Sequence, residues 1–282
     1  MRYGIVLSLG NACDLVDLAC EAEAAGWDGV FVADAMAMGT DHFPDMPWFD
    51  PWVVLAAMAV RTERIRIGTL LTPPSRRRPW KLAREVATLD HLSKGRMILS
   101  VGLGAADHDG GFFKVGEATD LKTRARLLDE SLDILAGLWS GKPFSYAGEH
   151  YHIDKMSMLP PPVQVPRVPI WVVGVWPKEK SMRRALQWDG LIAQRYGGSP
   201  ADGSLTVDEV RTIKAYVDEH RTATRPYDIL AGGSTGNKSR KRAVETVRPY
   251  IEAGATWWME EGWASSEAKL RARVRQGPPR VE

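Results

Sequence analysis

An α/β fold of eight strand–helix units is what this sequence predicts, on three observations. Short β-rich runs alternate with segments of 3.6-residue periodicity along the chain. Apolar runs such as Ile65–Leu71 and Met97–Gly104 are too continuous for a sheet wetted on one face, so both faces are covered, as in parallel α/β sheets. The 282 residues, 44% of them hydrophobic, suit one barrel domain spanning 1–282 better than two average domains. With right-handed crossovers, eight consecutive units close into a (β/α)8 barrel, the TIM-barrel architecture. An open doubly wound sheet is the alternative that unit counting leaves standing.

Strands are expected over 3–9, 29–34, 65–71, 97–104, 169–175, 190–195, 227–232 and 256–261. The helices between and after them fall at 12–25, 50–62, 79–92, 121–139, 178–187, 206–221, 238–252 and 265–275. In the first unit, Asn11 can cap the helix and Gly26 can end it in a left-handed conformation. In the third, Pro79 suits the first helical turn and Gly95 follows the last. The fourth helix carries a buried stripe of Leu128, Leu132, Leu135 and Leu138 with Trp139. Residues 141–169 then interrupt the rhythm. Polar and apolar residues alternate there around Ala147-Gly148, which predicts a small hairpin inserted before strand five, helping to close the barrel mouth or covering one barrel end. The seventh helix repeats the stripe with Ala243, Val247, Tyr250 and Ile251.

Composition narrows the function classes. The formal charge is +2, from 37 basic and 35 acidic side chains, so neither a basic nucleic-acid surface nor an acidic tail is indicated. No apolar stretch reaches the roughly 18 residues needed to span a bilayer, and the N-terminal run lacks a cleavage pattern, so a cytoplasmic chain without membrane partners is expected. Cys13 and Cys20 lie on one helix about 10 Å apart by helical rise, beyond disulfide reach, and are read as reduced, buried side chains. No Cys/His spacing suggests a metal site.

Barrel enzymes work at the C-terminal ends of their strands. The candidate positions are therefore Ser8, Asp34, Leu70–Thr72, Gly102–Gly104, Gly174–Trp176, Arg195–Tyr196, Gly232–Thr235 and Glu260–Trp263. Gly102 and Gly104 serve either tight packing or the close approach of a flat ring to bare backbone. Gly102-Leu103-Gly104 begins like a dinucleotide fingerprint, but Ala105-Ala106-Asp107 breaks it.

Three strings carry a more specific resemblance: T-x-R-I-R-I-G-T-x-L-T-P (62–73), R-R-R-P-W-K-L-A-R-E-x-x-T-L-D-x-L-S-x-G-R (76–96) and V-G-L-G-A (101–105). It resumes at P-P-P-V-Q-x-P-R-x-P-I-W-V-x-G (160–174), W-D-G (188–190) and V-R-P-Y-I-E-A-G-A-T-W-W (247–258). Together, in this order, they resemble the bacterial luciferase-like superfamily of flavin-dependent monooxygenases and relatives that use the deazaflavin coenzyme F420. The resemblance implies the closed barrel and a homodimer formed through barrel helices. It implies a non-prolyl cis peptide at Leu70–Leu71 supporting the cofactor ring, with Thr72 beside it and Gly102 and Gly104 along the ring edge. The phosphate of such a cofactor is best placed by position at Trp176–Ser181, entering helix five after Gly174 and Val175, where a helix N-terminus supplies N–H groups and positive potential; the alternative is an ordinary capped helix start. Many relatives carry a Gly-Gly pair where this chain reads Gly174-Val175. Arg76-Arg77-Arg78 is a second cationic cluster, read as a solvated loop or as a phosphate or substrate contact.

The acid/base inventory is thin. The F420-dependent sugar-phosphate dehydrogenases of this superfamily end strand two in Asp-His and follow strand four with a Glu; both residues serve proton transfer. Here those positions read Asp34-Ala35 and Ala105, which argues against that activity. Asp34 is left to hydrogen-bond the cofactor or to order its own loop. His42, His108, Glu260 and Glu261 are the remaining titratable candidates, and none is assigned as a catalytic base. Of 11 tryptophans, Trp48, Trp52, Trp171, Trp176, Trp257, Trp258 and Trp263 lie near strand ends or adjoining elements, to wall an apolar pocket or to pack barrel against helices. Met36, Met38 and Met46 adapt a long loop to apolar substrates or pack it down. The first functional reading is a flavin-dependent monooxygenase using reduced FMN and dioxygen on an apolar organic substrate. The alternatives are an F420-dependent hydride-transferring oxidoreductase and a flavin-binding protein with little catalysis.

Overall fold

The computed structural model describes residues 1–8, 10–36, 47–104, 112–197, 205–236, 238–261 and 266–281. Eight parallel strands close into a barrel: β1 (Arg2–Leu7), β2 (Gly29–Val32), β3 (Arg66–Thr69), β4 (Met97–Val101), β7 (Ile170–Trp176), β8 (Gly190–Arg195), β9 (Asp228–Gly233) and β10 (Trp257–Glu260). Around the ring the order is β1-β10-β9-β8-β7-β4-β3-β2, so every strand has two hydrogen-bonded neighbours and no edge is left. The open-sheet alternative is thereby removed. Helices α1 (Ala12–Ala24), α2 (Pro51–Arg61), α3 (Pro79–Leu92), α4 (Leu121–Leu138), α5 (Glu179–Leu186), α6 (Val207–His220), α7 (Arg240–Glu252) and α8 (Glu267–Gln276) follow the strands and form the outer layer.

Local signals set the helix ends. Asn11 accepts from the backbone N–H groups of Cys13 and Asp14, and Asp14 returns the bond in a capping box. Gly26 takes φ of +86°, a conformation that costs glycine nothing. The α4 stripe is buried as its periodicity requires, while Tyr250 and Ile251 of α7 are only half-buried. The thiols correct the sequence reading: both are free, but Cys13 is exposed and Cys20 half-buried. They stand off the α1 face that buries Leu15, Val16, Leu18, Ala19 and Ala22.

Hairpin β5 (Phe144–Ala147) and β6 (His152–Met156) is the expected insertion. Glu130 of α4 accepts the N–H groups of Glu149, His150 and Tyr151 at its turn, and Phe144 packs over Gly137. The hairpin therefore covers the flank of α4, in neither of the positions the sequence suggested.

Side-chain alternation divides the core in two. Outward residues meet the helices in one large cluster; inward ones form a second of Val6, Phe31, Ile98, Trp171, Leu230, Trp257 and Met259. Phe31, Trp171 and Trp257 meet at ring separations of 5.1–6.1 Å toward the N-terminal end of the strands. Further along, the inward positions pass to small residues: Ala33, Ser100, Gly102 and Gly232. Bulky rings thus form the floor of the barrel, and the mouth above it mixes these small residues with the apolar side chains of Leu70 and Val173. No helix is long and apolar enough to cross a membrane among the described residues, and no cluster of three or more potential metal ligands occurs there.

Candidate active site at the barrel mouth

Strand β3 ends in the feature that shapes one wall of the mouth. The Leu70–Leu71 peptide is cis, as the resemblance implies. Thr72 then rejoins the sheet: its N–H donates to Ser100 O at 2.9 Å, and Gly102 N donates to Thr72 O at 3.3 Å. Leu70 lies inward, against the interior cluster, and one extra residue separates it from the point where Thr72 pairs with Val101. A Cβ at Gly102 would stand 2.8 Å from Val173 Cγ2 and 3.1 Å from Leu71 Cδ2, so glycine is the residue that fits there. Ser100, one step deeper on β4, is fully buried and its hydroxyl has no hydrogen-bond partner. Such an orphan costs free energy unless something else satisfies it.

Asp34 lies just outside this wall, 5% exposed. Its carboxylate accepts from Thr72 Oγ1 (2.9 Å), Arg76 Nη2 (2.8 Å), Arg77 Nε (2.9 Å) and Arg77 Nη2 (2.8 Å), with Trp52 Nε1 at 3.4 Å. Arg76 also donates to the Asp34 carbonyl. These donors occupy the carboxylate, so in this geometry Asp34 orders the loop, and the Thr72 hydroxyl is engaged with it. Arg76 and Arg77 are correspondingly not the solvated pair that three successive arginines suggest; their side chains are 4% and 19% exposed. Burial alone would lower the Arg77 guanidinium, but the Asp34 hydrogen bond and charge hold it above its ordinary value. Only Arg78 is exposed.

Strand β4 is held at its end by a residue the sequence reading missed. Arg124 of α4, 6% exposed, donates from Nη1 to Leu103 O (2.9 Å) and Gly104 O (2.7 Å). Its guanidinium and that of Arg76 both lie against the buried ring of Phe112, at 5.7 and 5.5 Å. Gly104 packs on Pro73 and the same ring, with φ of +72°. Two elements thereby fix the Gly-Leu-Gly turn from outside.

The end of β7 splits the remaining predicted residues. Gly174 faces outward: a Cβ there would meet Leu191 Cδ1 at 2.4 Å and Met182 Sδ at 2.9 Å, so its glycine lets α5 approach. Trp176 packs on Tyr216 at 5.5 Å. Val175 points inward, and its N–H donates to Ser181 Oγ at 3.0 Å, fixing the loop that enters α5. No side chain caps that helix, so its first-turn N–H groups are offered to whatever lies beyond them.

On the far side, Glu260 is fully buried and structural. It accepts from Thr235 N (2.6 Å), Thr235 Oγ1 (2.8 Å), Gly236 N (3.1 Å) and Trp258 Nε1 (3.1 Å), and pairs with Arg273 of α8 at 3.1 Å. Glu261 follows it with the opposite orientation. Trp52, Trp171, Trp176, Trp257 and Trp258 all serve packing or anchoring, and Trp48 lines a small cleft beside Leu7 and Val32. His42, His108, Trp263, Met38, Met46, Ala105, Ala106 and Asp107 lie outside the described residues; Met36 is exposed.

A family model described as luciferase-like monooxygenase matches residues 1–281. The chain belongs to that family. Within the family, an F420-dependent glucose-6-phosphate dehydrogenase from Nakamurella multipartita is 32% identical over 195 residues, covering 68% of this chain and 51% of its own. The chain thus spans only about half the length of that relative. Among solved structures, an F420-dependent secondary alcohol dehydrogenase in complex with an F420-acetone adduct superposes with a TM-score of 0.77 at 18% identity, covering 100% of this chain and 99% of its own. The oxygenating constituent of 3,6-diketocamphane monooxygenase from Pseudomonas putida, in complex with FMN, gives 0.65 at 19% identity, covering 88% and 70%. At such identities the structural likenesses establish the shared barrel.

Proposed function

We propose that this family member uses coenzyme F420 to transfer hydride to or from a small organic substrate that is not a sugar phosphate. The observation that carries the choice of F420 is the 32% identity to an F420-dependent relative, which displaces the FMN- and dioxygen-dependent reading favoured by the sequence alone. The mouth residues fit a flat ring. Leu70 and Val173 offer apolar side chains, Gly102 adds bare backbone where a Cβ would clash with Val173 and Leu71, and the orphan Ser100 hydroxyl lacks the partner a ring heteroatom can supply. Residues Lys178–Ser181, at the uncapped start of α5, would hold the phosphate.

When bound, the deazaflavin accepts or returns a hydride at its ring and needs no oxygen. The protein's part is to orient and to exclude water. Leu70 and Gly102 would bound the ring on one side, and Asp34, Arg76 and Arg77 hold the Thr72 segment next to them. Arg124 fixes the carbonyls at the end of β4, so the wall does not yield when a ligand presses on it. Ala35 and Ala105 stand where the sugar-phosphate dehydrogenases keep their proton-transfer His and Glu, which is why a different substrate is proposed. A homodimer formed through the outer helices belongs to the same proposal.

Titrating F420, FMN and reduced FMN separately against tryptophan fluorescence tests the reading. The 11 tryptophans include several within the barrel, so binding reports directly. F420 should quench with a Kd in the micromolar range or below, at least tenfold tighter than either flavin. Tighter binding of reduced FMN would return the assignment to the monooxygenase class, and no quenching by any of them would end both readings.

A further inference from the structure

Glu261 is a carboxyl group that the fold aims into the barrel and then leaves alone. Its N–H donates to Gly233 O at 2.9 Å, continuing the β10 ladder by one residue. Trp257 and Met259 of that strand point into the barrel, so Glu261 does too. Glu261 Oε1 lies 3.8 Å from the position a Gly232 Cβ would take, over the inward face of β9. The side chain is half-buried and makes no hydrogen bond or ion pair among the described residues. Its neighbour Glu260 shows the contrast, with four hydrogen-bond donors and Arg273 around it.

Strand order places Glu261 relative to the cofactor wall. In the closed ring, β10 is four strands from β4 in either direction, diametrically opposite Ser100 and Gly102. Ligands of such barrels sit over the packed interior, at the C-terminal ends of the strands. A ring lying on the β3–β4 wall therefore presents its open face to β10, and a substrate between them meets the Glu261 carboxyl. We propose that Glu261 is the catalytic proton-transfer group of this enzyme, exchanging a proton with the hydroxyl or carbonyl oxygen of a small alcohol or ketone. This rests on the F420 reading above.

The step balances without any further reactant. In the oxidising direction the substrate C–H bond breaks and its electron pair leaves as hydride to the deazaflavin. The O–H bond breaks, its proton passes to the Glu261 carboxylate, and the C=O double bond forms. The substrate loses two electrons and the cofactor gains them, and Glu261 releases its proton to water. Reduction runs the same path backward from protonated Glu261.

The surroundings favour the protonated form of this carboxyl. Burial raises the Glu261 pKa from its ordinary value, and the charge of Glu260 raises it further. Arg273 of α8 is engaged by Glu260. No cation among the described residues offsets the shift.

Selective 13C-carboxyl labelling of glutamate in the full chain, with Glu261→Gln to assign the signal, gives the test. Glu261 should titrate above the ordinary glutamate value, and F420 should shift that midpoint. E261Q should bind F420 with unchanged affinity and lower kcat/KM about 100-fold or more, with 2-propanol, cyclohexanol and 2-octanol as probes. Glu261→Asp should recover part of the rate, and the wild-type rate of alcohol oxidation should rise with pH along the NMR titration. A Glu261 midpoint at the ordinary value, unmoved by F420, overturns the inference, as does an E261Q variant as active as wild type. Failure of the wild-type chain to bind F420 instead overturns the cofactor reading.

Discussion

Replacing Asp34 by Asn tests the anchor behind the cofactor wall. The substitution keeps the side chain's shape but removes the negative charge to which Arg76 and Arg77 both donate hydrogen bonds. The Asp34 and Arg76 side chains are 2% and 4% exposed, so solvent does little to compensate. Breaking a buried pair by removing one partner costs about 3–5 kcal/mol. Arg77 is 19% exposed and can turn partly to water, which favours the lower figure of about 3 kcal/mol. Unfolding entropy near 2.1 cal/mol/K per residue gives about 0.6 kcal/mol/K for a chain of this length, so Tm should fall by about 5 °C. Thermal unfolding by circular dichroism measures this, and the fluorescence titration should show weaker F420 binding in the same variant. A Tm within 1 °C of wild type would refute the reasoning, because it would mean that the three side chains do not share one buried charge balance.

Four further outcomes follow from the same geometry. Gly102→Ala puts a methyl 2.8 Å from Val173 Cγ2 at the mouth and should weaken F420 binding at least tenfold, whereas Gly174→Ala, crowding Leu191 on the outer face, should lower Tm and leave affinity nearly unchanged. Ser100→Ala removes an unpaired buried hydroxyl, so thermal stability should hold or rise while F420 binding weakens. Glu209 is held at a pKa of about 2, first by its hydrogen bonds to Arg195 and then by those from Thr206, against the opposing effect of burial. A depressed carboxyl stabilises the fold above its unfolded pKa near 4.5 and loses that contribution as pH falls toward 2, so Glu209→Gln should be less stable than wild type at pH 7 and converge with it toward pH 2 in urea unfolding. Glu261 has the opposite sign: its raised pKa makes its stability contribution greatest at low pH and lost as pH rises through the folded value, so E261Q should gain Tm relative to wild type at pH 8 and not at pH 4.

Local order was legible in the sequence because its determinants are local. Asn11, Pro79, Gly26 and Gly95 mark helix ends within a few residues, and all four do so in the structure. The strand ends at the mouth were drawn too long, at Asp34, Leu71 and Gly104, because apolar and glycine residues continue after the ladder has ended at Val32, Thr69 and Val101. The site was less legible because its contacts are distant in sequence. Arg76 and Arg77 meet Asp34 across 42 and 43 residues, and nothing in an Arg-Arg-Arg run distinguishes a buried clamp from a wet loop. Arg124 reaches Gly104 across 20 residues from what reads as an ordinary amphipathic helix. Ser100 gave no signal either, since a serine within an apolar strand becomes notable only when its hydroxyl is seen to lack a partner. Glu261 stands among the titratable candidates of the sequence, but only the structure shows that Trp257 and Met259 face inward, and hence that Glu261 and not Glu260 enters the barrel.

A crystal structure of the full chain soaked with F420 measures the central claim most directly. The account predicts density for the ring in the barrel mouth, its edge against Leu70 and Gly102, its phosphate at Lys178–Ser181 and its open face toward Glu261. Density for the ring elsewhere on the protein, or a mouth still empty at saturating F420, would contradict it.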